Sequence, residues 1–329
     1  MSEIKHIVIV APSMTSILNV AGPLDVFAKA NHCLSEIKPS VNTGYAIHTV
    51  SVDASTLVHT SSGVPIGCEG GLEAIDYPID TLLIAGKGEL DEPTRQKLIK
   101  WLQKHEKNMR RLGSICEGSF VLAEAGLLNG RRATTHWRTC DQLEKMYPDV
   151  KVDKESIYIK DDHMYTSAGI STGIDLSLAL VEEDYGREIA LMVARLLVLY
   201  LKRPGNQSQF SPVLMNQSVN YEPIKLIQDW ITEHLNEVLT VEVLAEKASM
   251  SPRNFARVFR RETGVTPAKY VEALRLETAR RRLEESRLTL EEISSECGIG
   301  SADNLRRIFL RLLNTSPSAY RRNFATSLV

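Results

Sequence analysis

The sequence predicts two folded regions of different class: an α/β region built on a mostly parallel sheet with helices on both faces, then an all-α region. Three observations carry this. Up to about residue 185, short apolar runs rich in β-branched residues alternate with apolar patterns at helical spacing. From residue 221 onward the patterning is helical throughout, and it repeats itself once at a separation of 49 to 50 residues. At 329 residues the chain is too long for one ordinary domain, and two is the natural division.

The α/β region opens with the strand HIVIVA, followed by AGPLDVFAKA at helical spacing. YAIHTVSV and TLLIAG are strands, TRQKLIKWLQKH a helix, RLGSI a strand and GSFVLAEAGLL a helix. The stretch IDLSLALVEEDYGREIALMVARLLVLYLK reads as two apolar-faced helices broken near Gly186. RPGNQSQFSPVLMNQSVNYEP then lacks any period and is rich in Gln, Asn, Ser and Pro, the composition of a linker. The expected division is therefore 1–202, a linker over 203–220, and 221–329.

In the helical region LTVEVLAEKASMSPRNFARVFRRETGVTPAKY lies over LTLEEISSECGIGSADNLRRIFLRLLNTSPSAY. Thr240 pairs with Thr289 and Leu244 with Ile293; after one inserted residue Phe259 pairs with Phe309 and Tyr270 with Tyr320. Each copy holds a short helix, a brief turn and a second helix, the grammar of a helix-turn-helix. In the first, Ser251 is the N-cap and Pro252 the first helical residue. Phe255, Val258 and Phe259 form the inward stripe, which leaves Arg253, Asn254, Arg257, Arg260 and Arg261 outside. In the second, Leu305, Ile308, Phe309 and Leu312 face inward, and Asp303, Asn304, Arg306, Arg307 and Arg311 outward. Helices with arginines along one face suit the major groove of double-stranded DNA, early side chains reaching base edges and flanking ones holding phosphates. The bland alternative is a solvated face paired with Glu262, Glu284 and Glu285; duplication of the basic face argues against it. Arg280, Arg281 and Arg282, between the copies, read as surface charge or phosphate contacts.

Composition bounds the remaining classes. The chain is 43% hydrophobic and 24% charged, as globular proteins are. Lys and Arg number 17 against 15 acids from Tyr221 onward, so arginine placement, not net charge, points to nucleic acid. No run of eighteen apolar residues occurs and no signal peptide is apparent, so a cytoplasmic protein with no membrane partner is expected. Cys33, Cys68, Cys116, Cys140 and Cys297 are odd in number, distant and without a C-x-x-C pair, which suits reduced thiols and no metal. No cofactor motif is present.

Cys116 alone has a chemical context. RLGSICEGSFVLAEAGLL runs from strand through Cys116 into helix, close to a nucleophile elbow although its spacing is G-x-x-C-x-G. A thiol at a helix N-terminus is expected to be more acidic than a free cysteine, and His136 follows twenty residues on as a candidate base. The competing reading is a buried structural thiol.

Residues 221–324 resemble an AraC/XylS-type domain, the ending GIGSADNLRRIFLRLLNTSPSAYRR carrying the likeness. Residues 5–185 resemble the ThiJ/PfpI group of the class I glutamine amidotransferase-like fold through AGPLDVF, LLIAGKG, SICEGSFVLAEAGLLNGRRATTHW and SAGISTGIDLSLALVEED. Together they resemble GlxA-like regulators, which implies a flavodoxin-like first domain and promoter DNA as partner. The resemblance places base-reading slots at Arg253, Ala256 and Arg257, and at Ala302, Asp303 and Arg307. Catalytic relatives of the first domain carry a cysteine, a histidine and a carboxylate four residues before the proline of the first helix. Cys116 and His136 match, but Asn19 fills the third slot, and Lys87 stands where relatives have a second glycine after Gly86. An asparagine cannot donate a proton as an acid does. The sequence therefore predicts a DNA-binding regulator, not an enzyme. A small-molecule effector is expected beside Cys116, His136, Asn19, Glu117, Gly86 and Lys87. A homodimer joined by the 187–202 helix or a sheet edge is expected, with RNA polymerase a candidate partner. The alternatives are a hydrolase or glyoxalase with a DNA module, and a redox sensor acting through Cys116.

Overall fold

A computed structural model describes residues 4–37, 43–199, 205, 209, 221–313 and 315–324. The chain divides into two compact units, Met1–Gln209 and Phe210–Val329. Of the expected linker 203–220, Gly205 and Gln209 are described and the rest lies outside the described residues.

In the first unit β1 (Lys5–Ala11) leads into helix α1 (Ile17–Ile37) and back to β2 (Tyr45–Ser51). A short antiparallel hairpin follows, β3 (Leu57–His59) with β4 (Pro65–Gly67). Next come β5 (Thr81–Ala85), α2 (Glu92–His105), β6 (Arg111–Ile115) and α3 (Gly118–Glu124). The strand pair β7 (Arg132–Ala133) and β8 (Lys151–Val152) encloses α4 (Cys140–Met146). The unit ends with β9 (Tyr158–Asp161), β10 (Met164–Ser167), α5 (Thr172–Tyr185) and α6 (Arg187–Leu196).

Six strands form one sheet in the order β2-β1-β5-β6-β10-β9, parallel except where β9 runs against β10. Alternation along β1 sends Ile7 and Ile9 to one face, where Val26, Phe27, Leu176 and Val193 from α1, α5 and α6 cover them. Val8 and Val10 go to the other, under Leu98, Trp101 and Leu102 of α2 and Val121 of α3. Strands buried on both faces need continuous apolar runs, which is why HIVIVA and TLLIA read so clearly. Gly186, at φ +85°, breaks α5 from α6 as expected. The second of those helices stops at Leu196, earlier than the 187–202 reading, and Val198 has φ +53°. No helix among the described residues is long and apolar enough to cross a membrane.

The second unit is helical: α7 (Glu222–Glu233), α8 (Val241–Lys247), α9 (Pro252–Thr263), α10 (Pro267–Glu285), α11 (Leu290–Glu296), α12 (Ala302–Leu313) and α13 (Pro317–Phe324). The turns are fixed by local chemistry. Thr240, Ser251, Thr266 and Thr289 each accept a backbone N–H three residues on, and Thr289 closes a full capping box with Glu292. Gly264 ends α9 in the left-handed conformation at φ +79°. Two small cores result. One gathers Ile227, Leu244, Phe255, Phe259 and Tyr270; the other gathers Leu283, Ile293, Leu305, Phe309 and Tyr320. Helix α10 serves both, giving Tyr270, Val271 and Leu274 to the first and Ala279 and Leu283 to the second.

Candidate functional site

The C-terminal ends of the parallel strands gather the residues singled out in the first unit. Cys116 sits between β6 and α3 at φ +56°, a left-handed backbone that a non-glycine residue holds only under constraint. Its N–H is tied to the Ser167 carbonyl at 3.0 Å, and its own carbonyl accepts from the Thr135 hydroxyl at 3.2 Å. Gly118 makes the turn feasible, since a Cβ there would lie 2.5 Å from the Ile84 carbonyl oxygen. The elbow expected from the sequence is thus present.

Its chemistry differs from the expectation. Burial pushes the Cys116 thiol up to about 11, outweighing the Glu117 N–H and Lys87, which act the other way. Helix α3 spans only Gly118–Glu124, too short to counter desolvation. Among the described residues no hydrogen bond joins Cys116 to His136. The His136 Nδ1 instead accepts from the Arg138 N–H at 3.4 Å, capping a short 3-10 turn, and burial depresses its basicity. At neutral pH the pair is a thiol beside a neutral imidazole.

Asn19, in the first turn of α1, is 3% exposed. Its Nδ2 donates to Thr15 Oγ1 at 3.4 Å, while its Oδ1 is buried without a hydrogen-bond partner. Both side chains press on Gly86, whose φ is +87°; a Cβ there would lie 2.8 Å from Thr15 Oγ1 and 3.2 Å from Asn19 Nδ2. Lys87 pairs with Glu117 at 3.2 Å at the rim. The elements thus bring Cys116, Glu117, Gly86, Lys87, Asn19 and His136 to one end of the sheet. Sequence reasoning missed Thr15 and Thr135, although both stand in short segments directly after strands, where open α/β sheets place ligand contacts. It also missed Gln209, whose Nε2 donates to Thr134 Oγ1 at 3.1 Å and to the Thr135 carbonyl at 3.2 Å.

In the second unit α9 and α12 are the second helices of the two helix-turn-helix copies. Phe255, Val258 and Phe259 are buried in the first, Leu305 and Phe309 in the second, with Ile308 and Leu312 half-buried. Arg253, Asn254, Arg257, Arg260 and Arg261 are exposed on α9, as are Asp303, Arg306, Arg307 and Arg311 on α12; Asn304 is half-buried. Two expectations fail. Ala302 is 1% exposed, its N–H bonded to Glu291, so it cannot meet a base. Arg280 is 4% exposed and donates to the Tyr320 hydroxyl and Glu277, so it holds the second core and is not surface charge. Arg306 and Arg311 face outward as expected, and each pairs with an acid, Asp303 and Glu272 respectively.

Comparison with known proteins agrees with both halves. The model of the DJ-1/PfpI family matches residues 5–183, and that of a helix-turn-helix domain residues 244–323. The HTH-type transcriptional regulator CdhR of Pseudomonas aeruginosa is 33% identical over 277 residues, covering 84% of this chain and 82% of its own. The isonitrile hydratase of Pseudomonas putida is 31% identical over 180 residues, 54% of this chain and 70% of its own. An AraC family transcriptional regulator from Pseudomonas putida, solved as a crystal structure, shares the fold at TM-score 0.51 and 19% identity, over 59% of this chain and 99% of that one. The chain belongs to the DJ-1/PfpI family, as one of its transcriptional regulators with an AraC-type helix-turn-helix domain.

Proposed function

We propose that the first unit binds a small-molecule effector beside Cys116, that occupancy alters the grip of the second unit on promoter DNA, and that the pocket performs no chemistry. One observation carries this reading: among the described residues Cys116 makes no hydrogen bond to His136, and the burial that pushes its thiol up therefore has no base to oppose it. Hydrolysis, glyoxalase-type chemistry and rapid peroxide sensing all require the thiolate. What remains is a binding surface. The unpartnered Oδ1 of Asn19 is a ready acceptor for a ligand N–H or O–H, because an unmet buried acceptor costs about 1–3 kcal/mol.

Gln209, the last residue of the first unit, supplies a route outward. It holds Thr135, which in turn holds the Cys116 carbonyl. A ligand that shifts this wall shifts the start of the segment leading to the reading helices. The regulator works as a cytoplasmic homodimer at promoters, where RNA polymerase is within reach. The apolar face of α6 is spent on its own core through Ile189, Ala190 and Val193, which leaves Leu196, Val198 and the sheet edges for a second copy.

A thermal-shift screen of the full chain against small metabolites tests the reading. The expected hit raises the melting temperature saturably, changes DNA affinity, and does neither in Cys116→Trp. In Gln209→Ala it should still bind while the effect on DNA shrinks. Turnover of methylglyoxal by the wild type that vanished in Cys116→Ser would replace this reading with an enzyme.

A further inference from the structure

Both reading helices carry the same side-chain pair at the same place. Asn254 Oδ1 accepts from Arg257 Nη2 at 2.9 Å, and fifty residues on Asn304 Oδ1 accepts from Arg307 Nη2 at 2.8 Å. The pair spans one helical turn on the outer face of each helix, in its first half. We propose that Asn254 and Asn304 are positioning residues that preset Arg257 and Arg307 for guanine. Each half-site of the operator then carries one guanine·cytosine pair at corresponding positions, about ten base pairs apart. The proposal rests on the reading of the second unit as the DNA-binding part.

Three considerations lead there. An arginine on an open helix face has about 2 kcal/mol of rotamer freedom to lose, and a bond to a fixed acceptor removes part of that loss before DNA arrives. The guanidinium has five N–H donors and spends one on the asparagine, which leaves enough for the bidentate grip on guanine O6 and N7. The asparagine itself is not free to read adenine, which requires its oxygen and its nitrogen together. At Asn304 both are committed, since Nδ2 donates to the Ile299 carbonyl at 2.7 Å. That bond runs back to the turn before the helix, so the arginine is referenced to the backbone of its own helix-turn-helix.

The half-site spacing is taken from the recurrence of the major groove, and helix α10 joins the two copies. Its 19 residues, about 28 Å at 1.5 Å per residue, enter both cores, so the two reading helices are mounted on one rod. Successive major grooves on one side of B-DNA recur every 34–36 Å or so, about 10 base pairs.

The experiment is selection of binding sites by the full chain from a random duplex library, followed by affinities for the selected site with each base pair altered. The expected site holds two guanine·cytosine pairs about one turn apart. Asn254→Ala and Asn304→Ala should each weaken discrimination at one of those pairs about tenfold, a larger loss for the selected site than for unselected DNA. Asn254→Asp keeps the acceptor for Arg257, so guanine preference should survive while its added charge weakens binding to every sequence alike. Preference intact in Asn304→Ala, or an adenine preference lost instead, overturns the proposal. So does a selected site without the paired guanines, which leaves the regulator reading standing. Selection that returns no sequence preference overturns both.

Discussion

On the first reading helix Arg253, Arg257 and Arg260 are exposed, and no carboxylate among the described residues lies in ion-pair range of them; Arg261 alone joins an acid, Glu262. On the second, Arg306 is held by Asp303 and Arg311 by Glu272, which leaves Arg307 the arginine without an acid. The cores beneath differ in the same sense. Tyr270 is wholly buried against the neutral amide of Gln228, whereas its counterpart Tyr320 takes a charged donor, Arg280, at 3.0 Å and gives its proton to Glu284 at 2.5 Å. The two copies share the Asn–Arg pair and the apolar stripe, and differ in their charges. On the proposed reading, the first helix offers free cations to phosphates as well as a reading arginine, whereas the cations of the second are largely neutralised.

The widest gap between the two copies should appear in the cores. Arg280→Ala leaves Tyr320 and two glutamates without their buried cation, a change that costs about 3–5 kcal/mol. Gln228→Ala removes a buried amide whose Nε2 and Oε1 lack hydrogen-bond partners among the described residues, and should cost about 1 kcal/mol. Hydrogen exchange on the full chain checks both. In Arg280→Ala, protection should fall over residues 290–313 while residues 241–263 keep theirs. Equal losses in the two copies would mean that α10 couples them into one cooperative unit.

How much of this was legible depended on whether a feature is local. The stripes Phe255–Val258–Phe259 and Leu305–Phe309, the cap at Ser251 and the elbow at Cys116 lie in contiguous residues, and all are in the structure. β9 and β10 escaped notice because YIKD and MYTS are four residues each and carry no apolar run. Arg280 was misread because its partner Tyr320 stands forty residues away, and because α10, buried toward two cores, shows no single apolar face. The acidity expected of Cys116 came from its position at a helix start; the desolvation that overrides it comes from the surrounding fold.

At the DNA interface the comparison predicts equal reading and unequal grip. Arg257→Ala and Arg307→Ala should each cost specific binding about 1–3 kcal/mol, since both pairs are built alike. Arg260→Ala and Arg311→Ala should part company. Releasing a free arginine from phosphate lowers the log–log salt slope by about 0.9, but Arg311 must first leave Glu272 and should lower it by less. Titrations of one duplex at several salt concentrations give both slopes. Identical slopes would show that the Glu272 contact dissolves when DNA binds.

The smallest effect is the most pointed, because stability and binding should move in opposite directions. Asp303 stands in the first turn of α12, where a carboxylate complements the positive helix end, and it pairs with Arg306 three residues on. It also faces outward on a helix proposed to approach phosphates. Asp303→Asn should therefore lose a little helix stability, a few tenths of a kcal/mol for an exposed pair. It should also gain affinity for DNA of any sequence, about two- to fivefold at low salt, because a like charge leaves the interface and Arg306 is freed. The gain should fade at high salt, where screening shortens the reach of both charges. The same exchange has no equivalent on the first helix, whose first turn carries no acid. A loss of affinity in Asp303→Asn would mean that Asp303 reads a base, most simply a cytosine amino group, and that the second helix carries specificity in an acid as well as in Arg307.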